Sequence, residues 1–124
     1  MITGMEPVAN TTLAVTIAGK AIGGITSFMV RMGKETVLVP STEIVGAFVY
    51  TIQNVHYMEI ERELYDSTSF SNLYNLSNFV VVTTHENRTV RYTGCEIDDI
   101  YEYTKLDGKI YEKIKISVDK RVIP

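Results

Sequence analysis

Several residue types that mark common functional classes are scarce in this 124-residue chain. The single cysteine, Cys95, excludes an internal disulfide framework and a cysteine-rich zinc site. Twelve Lys and Arg against fifteen Asp and Glu give a net charge of −3, which excludes the strongly basic composition of proteins that bind nucleic-acid phosphates. No apolar run is long enough to cross a bilayer, and no secretory signal precedes the first strand. We therefore expect a soluble protein with no membrane partner and no sequence-specific nucleic-acid binding.

Groups that carry out catalysis or bind metals are equally sparse. His56 and His85 are the two histidines, and neither has a partner at motif spacing. Glu96 follows Cys95 directly, and a neighbouring carboxylate opposes the lowered pKa that a reactive thiol needs. The acidic residues at 96, 98, 99 and 102 match no calcium-loop pattern. The sequence predicts no catalytic, cofactor or metal site, and hence a protein that is not an enzyme.

Strand-forming residues dominate what is present. Eight Tyr and four Phe accompany many Val, Ile and Thr, and apolar and polar residues alternate repeatedly. Residues 66–78 break this alternation with helical spacing, and we expect one helix there. Asp107-Gly108 predicts a hairpin turn. The prediction is a single domain over 1–124, mainly β, an antiparallel β-sandwich or small barrel with one flanking α-helix, preceded by a flexible arm at 1–8.

Tyr57 to Tyr65 alternates most clearly. Glu59, Glu61 and Glu63 share one face of this strand, where three carboxylates repel each other unless water or cations meet them. A solvated face is the simplest interpretation. Arg62 interrupts the opposite, apolar face, and Glu112 interrupts the apolar face of the last long strand. The pattern therefore allows a buried Arg62–Glu112 pair.

Residues 33–54 form a long loop or hairpin in this interpretation. The segment is apolar at Ile44, Val45, Phe48 and Val49, although loops normally face water. Two alternatives follow: the segment folds onto its own core, or these four residues contact another subunit.

The order of segments from 55 to 122 resembles the tail tube proteins of long-tailed phages and phage-like contractile particles. The resemblance rests on the strand Tyr57–Tyr65, the helical segment Phe70–Leu76, the strand Phe79–Val82, the run Thr89–Ile97, and the closing strand Gly108–Val118 with Lys120-Arg121. It implies a structural virion protein of a phage or prophage tail, made in the bacterial cytoplasm, whose copies self-assemble into stacked hexameric rings around a DNA conduit.

The resemblance also implies partners and roles for residues. Other tail proteins, such as sheath, baseplate or tape measure, would bind the tube. Ile44, Val45, Phe48 and Val49 would be buried between subunits. The acidic lumen face would be formed by Glu59, Glu61 and Glu63, or by the carboxylates at 96, 98 and 99.

Two other functions remain open from the sequence. One is a different tail component of similar fold, namely a baseplate, hub or terminator protein. The other is a monomeric β-sandwich module that binds a carbohydrate or a protein; the absence of Trp weakens this alternative, whereas the eight Tyr support it.

Overall fold

The computed structural model describes residues 13–64 and 75–123. These residues form eight strands, and every pairing between them is antiparallel. The strands are β1 (Leu13–Ile17), β2 (Lys20–Ile22), β3 (Ile25–Pro40), β4 (Phe48–Glu63), β5 (Phe79–His85), β6 (Arg88–Thr104), β7 (Ile110–Ser117) and β8 (Lys120–Val122). The mainly β, antiparallel prediction is confirmed.

The structure does not support two parts of the predicted fold, the flanking helix and the small barrel. The described residues contain no α-helix, so the flanking helix is not supported; most of the predicted segment 66–78 lies outside the described residues, as does the predicted arm at 1–8. The small-barrel alternative is wrong. The described strands follow the order β2-β1-β5-β6-β7-β4-β3, with β8 on β6, and within residues 13–64 and 75–123 this path is open because β2 and β3 at its ends do not pair with each other.

Strand β6 divides the sheet into two halves. Its first part pairs with β5 as far as Cys95, and its second part pairs with β7 from Glu96 onward. Between them Gly94 adopts a φ of +64°, a conformation that costs glycine little and other residues more. We call β1, β2, β5, β8 and the first part of β6 the body sheet. The second part of β6 with β7, β4 and β3 is the hairpin sheet.

Both halves contribute to one buried core. Val15, Ile17 and Val81 come from the body sheet, and Ile60 and Ile114 come from the hairpin sheet; all five are almost fully buried. Each such side chain stabilises the fold by about 1.5–3 kcal/mol relative to an exposed one. The alternation of apolar residues in β4 and β7 supplies the hairpin-sheet face of this core.

The buried Arg62–Glu112 pair is confirmed. The two residues are direct cross-strand partners, and Arg62 Nε donates to Glu112 Oε1 over 3.1 Å, with side chains 8% and 0% exposed. A charge at this depth needs such a partner, because burying it alone costs several kcal/mol. The pair joins β4 to β7 inside the core.

The longest feature is the hairpin of β3 and β4. Each strand has 16 residues, and pairing runs without a break from Ser27–Glu61 to Pro40–Phe48. Strand β7 pairs with β4 only over Tyr57–Glu63. The outer part of the hairpin therefore extends past β7, and it contains most of the segment 33–54 that was predicted as a long loop or hairpin.

Candidate assembly surfaces

The outer part of the β3–β4 hairpin carries an exposed apolar face. Leu38 lies opposite Tyr50 in the pairing, and Ile52 follows on the same face of β4. Phe48 is 59% exposed and Tyr50 is 78% exposed. These residues continue the core-facing side of the hairpin sheet. In the outer part of the hairpin, however, they are exposed and lie outside the buried core. A contiguous exposed apolar face is typical of protein–protein contact sites.

The tip of the hairpin is held in one conformation by its own hydrogen bonds. Ser41 Oγ accepts from the backbone N–H groups of Glu43 and Ile44, at 3.1 Å each. The Ser41 N–H donates to the Ala47 carbonyl over 2.9 Å, and Gly46 adopts a φ of +83°. The tip presents Ile44 and a fully exposed Val45. A preorganised apolar tip loses little entropy when it binds a partner.

The four residues predicted to contact another subunit thus lie together at one end of the molecule. Ile44, Val45, Phe48 and Val49 are all exposed, and none belongs to the core cluster. The same exposed surface includes Leu38, Tyr50 and Ile52, which are not among the site residues predicted from the sequence. The alternation of Phe48, Tyr50 and Ile52 in one strand was the signal that could have found two of them.

The predicted acidic face is located on the hairpin sheet, on the side away from the core. Glu59, Glu61 and Glu63 point the same way along β4, as the alternation predicts. Each has a lysine beside it in the structure. The pairs are Glu59 with Lys113 at 3.6 Å, Glu61 with Lys105 at 3.3 Å, and Glu63 with Lys109 at 3.9 Å. The face is therefore a ladder of compensated charges rather than a row of bare carboxylates.

Glu61 has the most partners of the three. It accepts hydrogen bonds from the Tyr103 hydroxyl and, over 2.7 Å, from Thr26 Oγ1, in addition to Lys105. The bond from Tyr103, followed by that from Thr26, lowers the pKa of Glu61 to about 2. Burial and the bond to Glu61 raise the pKa of Tyr103. Glu61 is consequently ionised at neutral and mildly acidic pH, and its hydrogen bonds hold it in place.

Tyrosines extend this ladder toward the β6–β7 turn. The rings of Tyr101 and Tyr103 lie 5.8 Å apart, those of Tyr103 and Tyr111 lie 6.0 Å apart, and the Lys105 ammonium sits 4.3 Å from the centre of the Tyr111 ring. Asp107 accepts from the Lys109 N–H and the Tyr111 hydroxyl, at 2.8 and 2.9 Å. These contacts fix the turn.

The second set of candidate carboxylates is dispersed. Glu96 accepts a hydrogen bond from the Asn78 N–H over 2.9 Å. The pairing shifts between Ile97 and Asp99, so Asp98 occupies a β-bulge and Asp99 lies opposite Lys115. The bulge interrupts the simple alternation that the sequence predicts for these residues.

A notch opens where the hairpin passes the end of β7. It has a cavity volume of about 410 Å³, and its lining includes Glu35, His56, Asp98 and Ser117. His56 Nδ1 is buried and has no hydrogen-bond partner among the described residues. Neither Lys nor Arg contributes to the lining.

Catalytic and metal chemistry find little support in the described part of the chain. Residues 13–64 and 75–123 contain no group of three His, Cys, Asp or Glu positioned to hold a metal ion. Cys95 is buried, and desolvation raises the pKa of its thiol to about 11. Within the same ranges, no helix is long and apolar enough to span a membrane.

Comparisons with known proteins give a result at the level of the fold. No protein-family model and no curated protein sequence matches the chain. Among solved structures, the chain is similar to the sheath–tube complex of an extracellular contractile injection system in its extended state, with a TM-score of 0.65, 7% identity and coverage of 100% of this chain and 99% of that one. The tube-terminating cap of an anti-feeding prophage matches with a TM-score of 0.64, 8% identity and coverage of 92% and 88%.

Hcp1 from Flavobacterium johnsoniae also matches, with a TM-score of 0.57, 15% identity and coverage of 90% of this chain and 93% of that one. At these identities the similarity shows a shared fold. The resemblance to tail tube proteins is confirmed at that level, and the chain has the fold found in tube and tube-terminator subunits of phage-like particles.

Proposed function

We propose that this chain, which has the fold of tail-tube and tube-terminator subunits, is a structural subunit that assembles with copies of itself into the stacked hexameric rings of a phage-like tail tube. The observation that carries the proposal is the projecting hairpin, which exposes a continuous apolar face on a preorganised tip. Burial between subunits accounts for such a surface, because exposed apolar faces of this kind are typical of protein–protein contacts.

Ring formation would use the free edges of the hairpin sheet. In the described residues β3 pairs on one side only, with β4, and the second part of β6 pairs on one side only, with β7. A strand edge with unpaired N–H and C=O groups is a template for another chain. Joining the β3 edge of one copy to the β6 edge of the next is a head-to-tail contact, and such contacts close into rings when the rotation allows.

The ladder that contains Glu59, Glu61 and Glu63 would then line the lumen. Its carboxylates are matched by lysines, and its charges are held by hydrogen bonds. A conduit wall with compensated charge has no net attraction for DNA phosphates, so DNA would slide past it rather than bind. Sheath, baseplate and tape measure proteins would be the heterologous partners in the virion tail.

The hairpin tip would lie between rings. Ile44, Val45, Phe48 and Val49 would be buried there against a second ring. Because the free strand edges and the tip are separate surfaces, ring formation and ring stacking should respond to different substitutions.

Electron microscopy of purified protein at rising concentration tests this proposal. We expect rings with six-fold symmetry, and tubes at higher concentration or on an added tail initiator. Val45→Asp should leave rings but abolish tubes. It places a charge on the tip, which is exposed in the single chain and would be buried when rings stack. Ile123→Asp is the matched control, since Ile123 is also exposed but lies beyond β8. A protein that stays monomeric under all these conditions, including with initiator, would contradict the proposal.

A tube terminator is the second candidate. Two of the similar structures are described as a tube-terminating cap and a sheath/tube terminator. A terminator ends a tube rather than extending it. Rings that bind the end of preformed tubes but never stack on one another would favour this alternative.

A further inference from the structure

The hairpin sheet exposes apolar side chains at both of its ends. One end is the hairpin tip, residues 41–47, where Ile44 is 64% exposed and Val45 is fully exposed. The other end is the β6–β7 turn, residues 105–109, where Leu106 is fully exposed and the adjoining Ile110 is 46% exposed. None of these four residues belongs to the buried core or packs against it among the described residues. The chain therefore has two separate apolar surfaces of the kind that other proteins contact.

The strand register places these two surfaces at opposite ends of the sheet. Pro40 pairs with Phe48 at the end that carries the hairpin tip. Glu63 pairs with Tyr111 at the far end of β4, beside the β6–β7 turn. The 16 residues of β4 separate the two ends by about 50 Å, at 3.3 Å per residue. Surfaces at opposite ends of a subunit suit a head-to-tail contact, in which one end of a copy meets the other end of the next.

The charges at the two ends are complementary. The hairpin tip has one charged side chain, the exposed Glu43, which forms no ion pair with another described residue. The β6–β7 turn carries Lys105 and Lys109, whose side chains stay 44% and 57% exposed although each has a carboxylate nearby. The turn's own carboxylate, Asp107, is already bound to groups of the same hairpin. An acidic apolar tip and a basic apolar turn attract each other and repel their own kind.

Both ends are also held in shape before any contact forms. Ser41 Oγ fixes the hairpin tip through two backbone N–H groups. In the β6–β7 turn the Gly108 N–H donates to the Lys105 carbonyl over 2.9 Å, and the Lys105 N–H donates to the Lys109 carbonyl over 3.1 Å. Two preformed turns lose little conformational entropy when they bind each other.

We propose that the hairpin tip of one copy docks on the β6–β7 turn of a copy in the next ring. Val45 packs against Leu106 in this contact. Glu43 lies beside Lys109. The inference rests on the proposed self-assembly and names the surface that receives the tip.

This contact is compatible with every strand pairing within the chain. It joins the ends of strands and uses no strand edge, so β3, β4, β6 and β7 keep the partners that they have in the single chain. Strand β4 of the second copy begins beyond the tip of the first, and the two copies therefore do not overlap. Because the contact is head-to-tail, it leaves a free tip at one end and a free turn at the other, and it extends the assembly along the strand axis.

Site-specific cross-linking tests the contact. Val45→Cys places a thiol on the tip and Leu106→Cys places one on the turn, and both positions are fully exposed. The native Cys95 is buried and does not compete. A mixture of the two variants, treated with a short thiol-specific cross-linker after assembly, should give covalent dimers. Either variant alone should give none, and the double variant should give a ladder of multimers.

The control pairs Val45→Cys with Asn87→Cys. Asn87 is an exposed turn residue too, but it lies between β5 and β6 on the body sheet. This pair should form about ten-fold less dimer than the Val45–Leu106 pair.

The outcomes separate this inference from the function on which it rests. Tubes in the micrographs without a tip-to-turn cross-link would overturn the inference and leave the proposed function intact. Dimers from Val45→Cys alone or from Leu106→Cys alone would also overturn it, because they indicate a contact between identical ends. Failure of the unmodified protein to assemble at all would overturn both.

Charge reversal provides a second measurement. Glu43→Lys should lower the amount of sedimented tube by about ten-fold, as should Lys109→Glu, because each sets like charges against each other in the contact. The double variant with both changes should restore tubes to near the unmodified amount. Glu86→Lys is the matched control: it makes the same change of charge in an exposed turn of the body sheet and should leave the amount of tube unchanged.

Two results of this measurement would contradict the inference. A double variant that assembles no better than the single variants would mean that Glu43 and Lys109 do not face each other. A loss of tubes in Glu86→Lys equal to that in Glu43→Lys would mean that net charge, and not the contact between tip and turn, controls assembly.

Discussion

Replacing Gly94 with alanine should destabilise the protein more than any other Gly→Ala change among the glycines compared below. Gly94 has a φ of +64°, and this left-handed conformation costs a residue with a Cβ about 1–2 kcal/mol. A Cβ at this position would lie 2.6 Å from the Cβ of Asp119. Asp119 cannot withdraw easily, because its N–H donates to the Thr93 carbonyl over 3.1 Å. Overpacking of this kind costs about 1–3 kcal/mol, so we expect a total loss of about 2–5 kcal/mol.

Two other glycines separate the contributions. Gly19 has a φ of +83° and open space around its Cβ position, so Gly19→Ala should lose only the conformational term of about 1–2 kcal/mol. Gly23 has neither a positive φ nor a neighbour within 4 Å, and Gly23→Ala should change stability by less than about 0.5 kcal/mol. The entropy that alanine removes from the unfolded chain is common to all three variants and cancels in the differences.

Urea unfolding followed by circular dichroism, at concentrations where the protein is monomeric, gives these free energies. The expected order of destabilisation is Gly94→Ala, then Gly19→Ala, then Gly23→Ala. If Gly94→Ala and Gly19→Ala lie within about 0.5 kcal/mol of each other, the contact with Asp119 is not a constraint. The interpretation of Gly94 as the tight bend between the two halves of the sheet would then be refuted.

Three further predictions address the core, the charge ladder and the hairpin. Arg62→Ala should lower the free energy of unfolding by about 3–5 kcal/mol, because it leaves the Glu112 carboxylate buried without this partner; thermal or urea unfolding measures it. Stability should fall as the pH drops from about 4.5 toward 2, because the folded-state pKa of Glu61 is lowered to about 2; Glu61→Gln should reduce this dependence in a pH series of unfolding curves. Tyr50→Ser with Ile52→Ser should reduce assembly in light scattering and leave monomer stability within about 1 kcal/mol, because both side chains are exposed.

The same experiments include results that would contradict these expectations. An Arg62→Ala protein as stable as the parent would mean that the core hydrates or rearranges around the remaining carboxylate. An unchanged pH dependence in Glu61→Gln would mean that other carboxylates control acid unfolding. Full assembly of the Tyr50 and Ile52 double variant would remove the apolar face from the contact.

The sequence correctly predicted those features that depend on the residues of a single strand. Alternation predicted the core-facing side of β4, including Met58 and Ile60, and the charged interruption at Arg62 with its partner Glu112. These features depend on the two-residue period of a strand, which is a local property. The apolar segment that contains Ile44 and Phe48 was located by its composition and not by a period.

Predictions failed or stayed incomplete where distant segments decide the outcome. Strand β6 continues through Gly94 with a bend, because β5 pairs before the bend and β7 pairs after it, and no local pattern shows which strand pairs where. The predicted barrel was wrong, because closure of a sheet depends on whether its two end strands pair, and a single strand's sequence does not show this. The bulge at Asp98 likewise arises from the match between β6 and β7, and no local pattern shows it.

By itself the sequence determined that the chain is mainly β, which faces of its strands are buried, and that an apolar segment lies in the first half. Hydrophobic periodicity and charge are properties of the residue order, so these conclusions do not depend on which strands lie side by side. Only the tertiary structure decided that lysines from β7 and from the β6–β7 turn compensate the glutamates of β4, and that β4 continues beyond β7 with a free edge. Both depend on which strands lie side by side, and residues about 50 positions apart become neighbours only when the sheet forms.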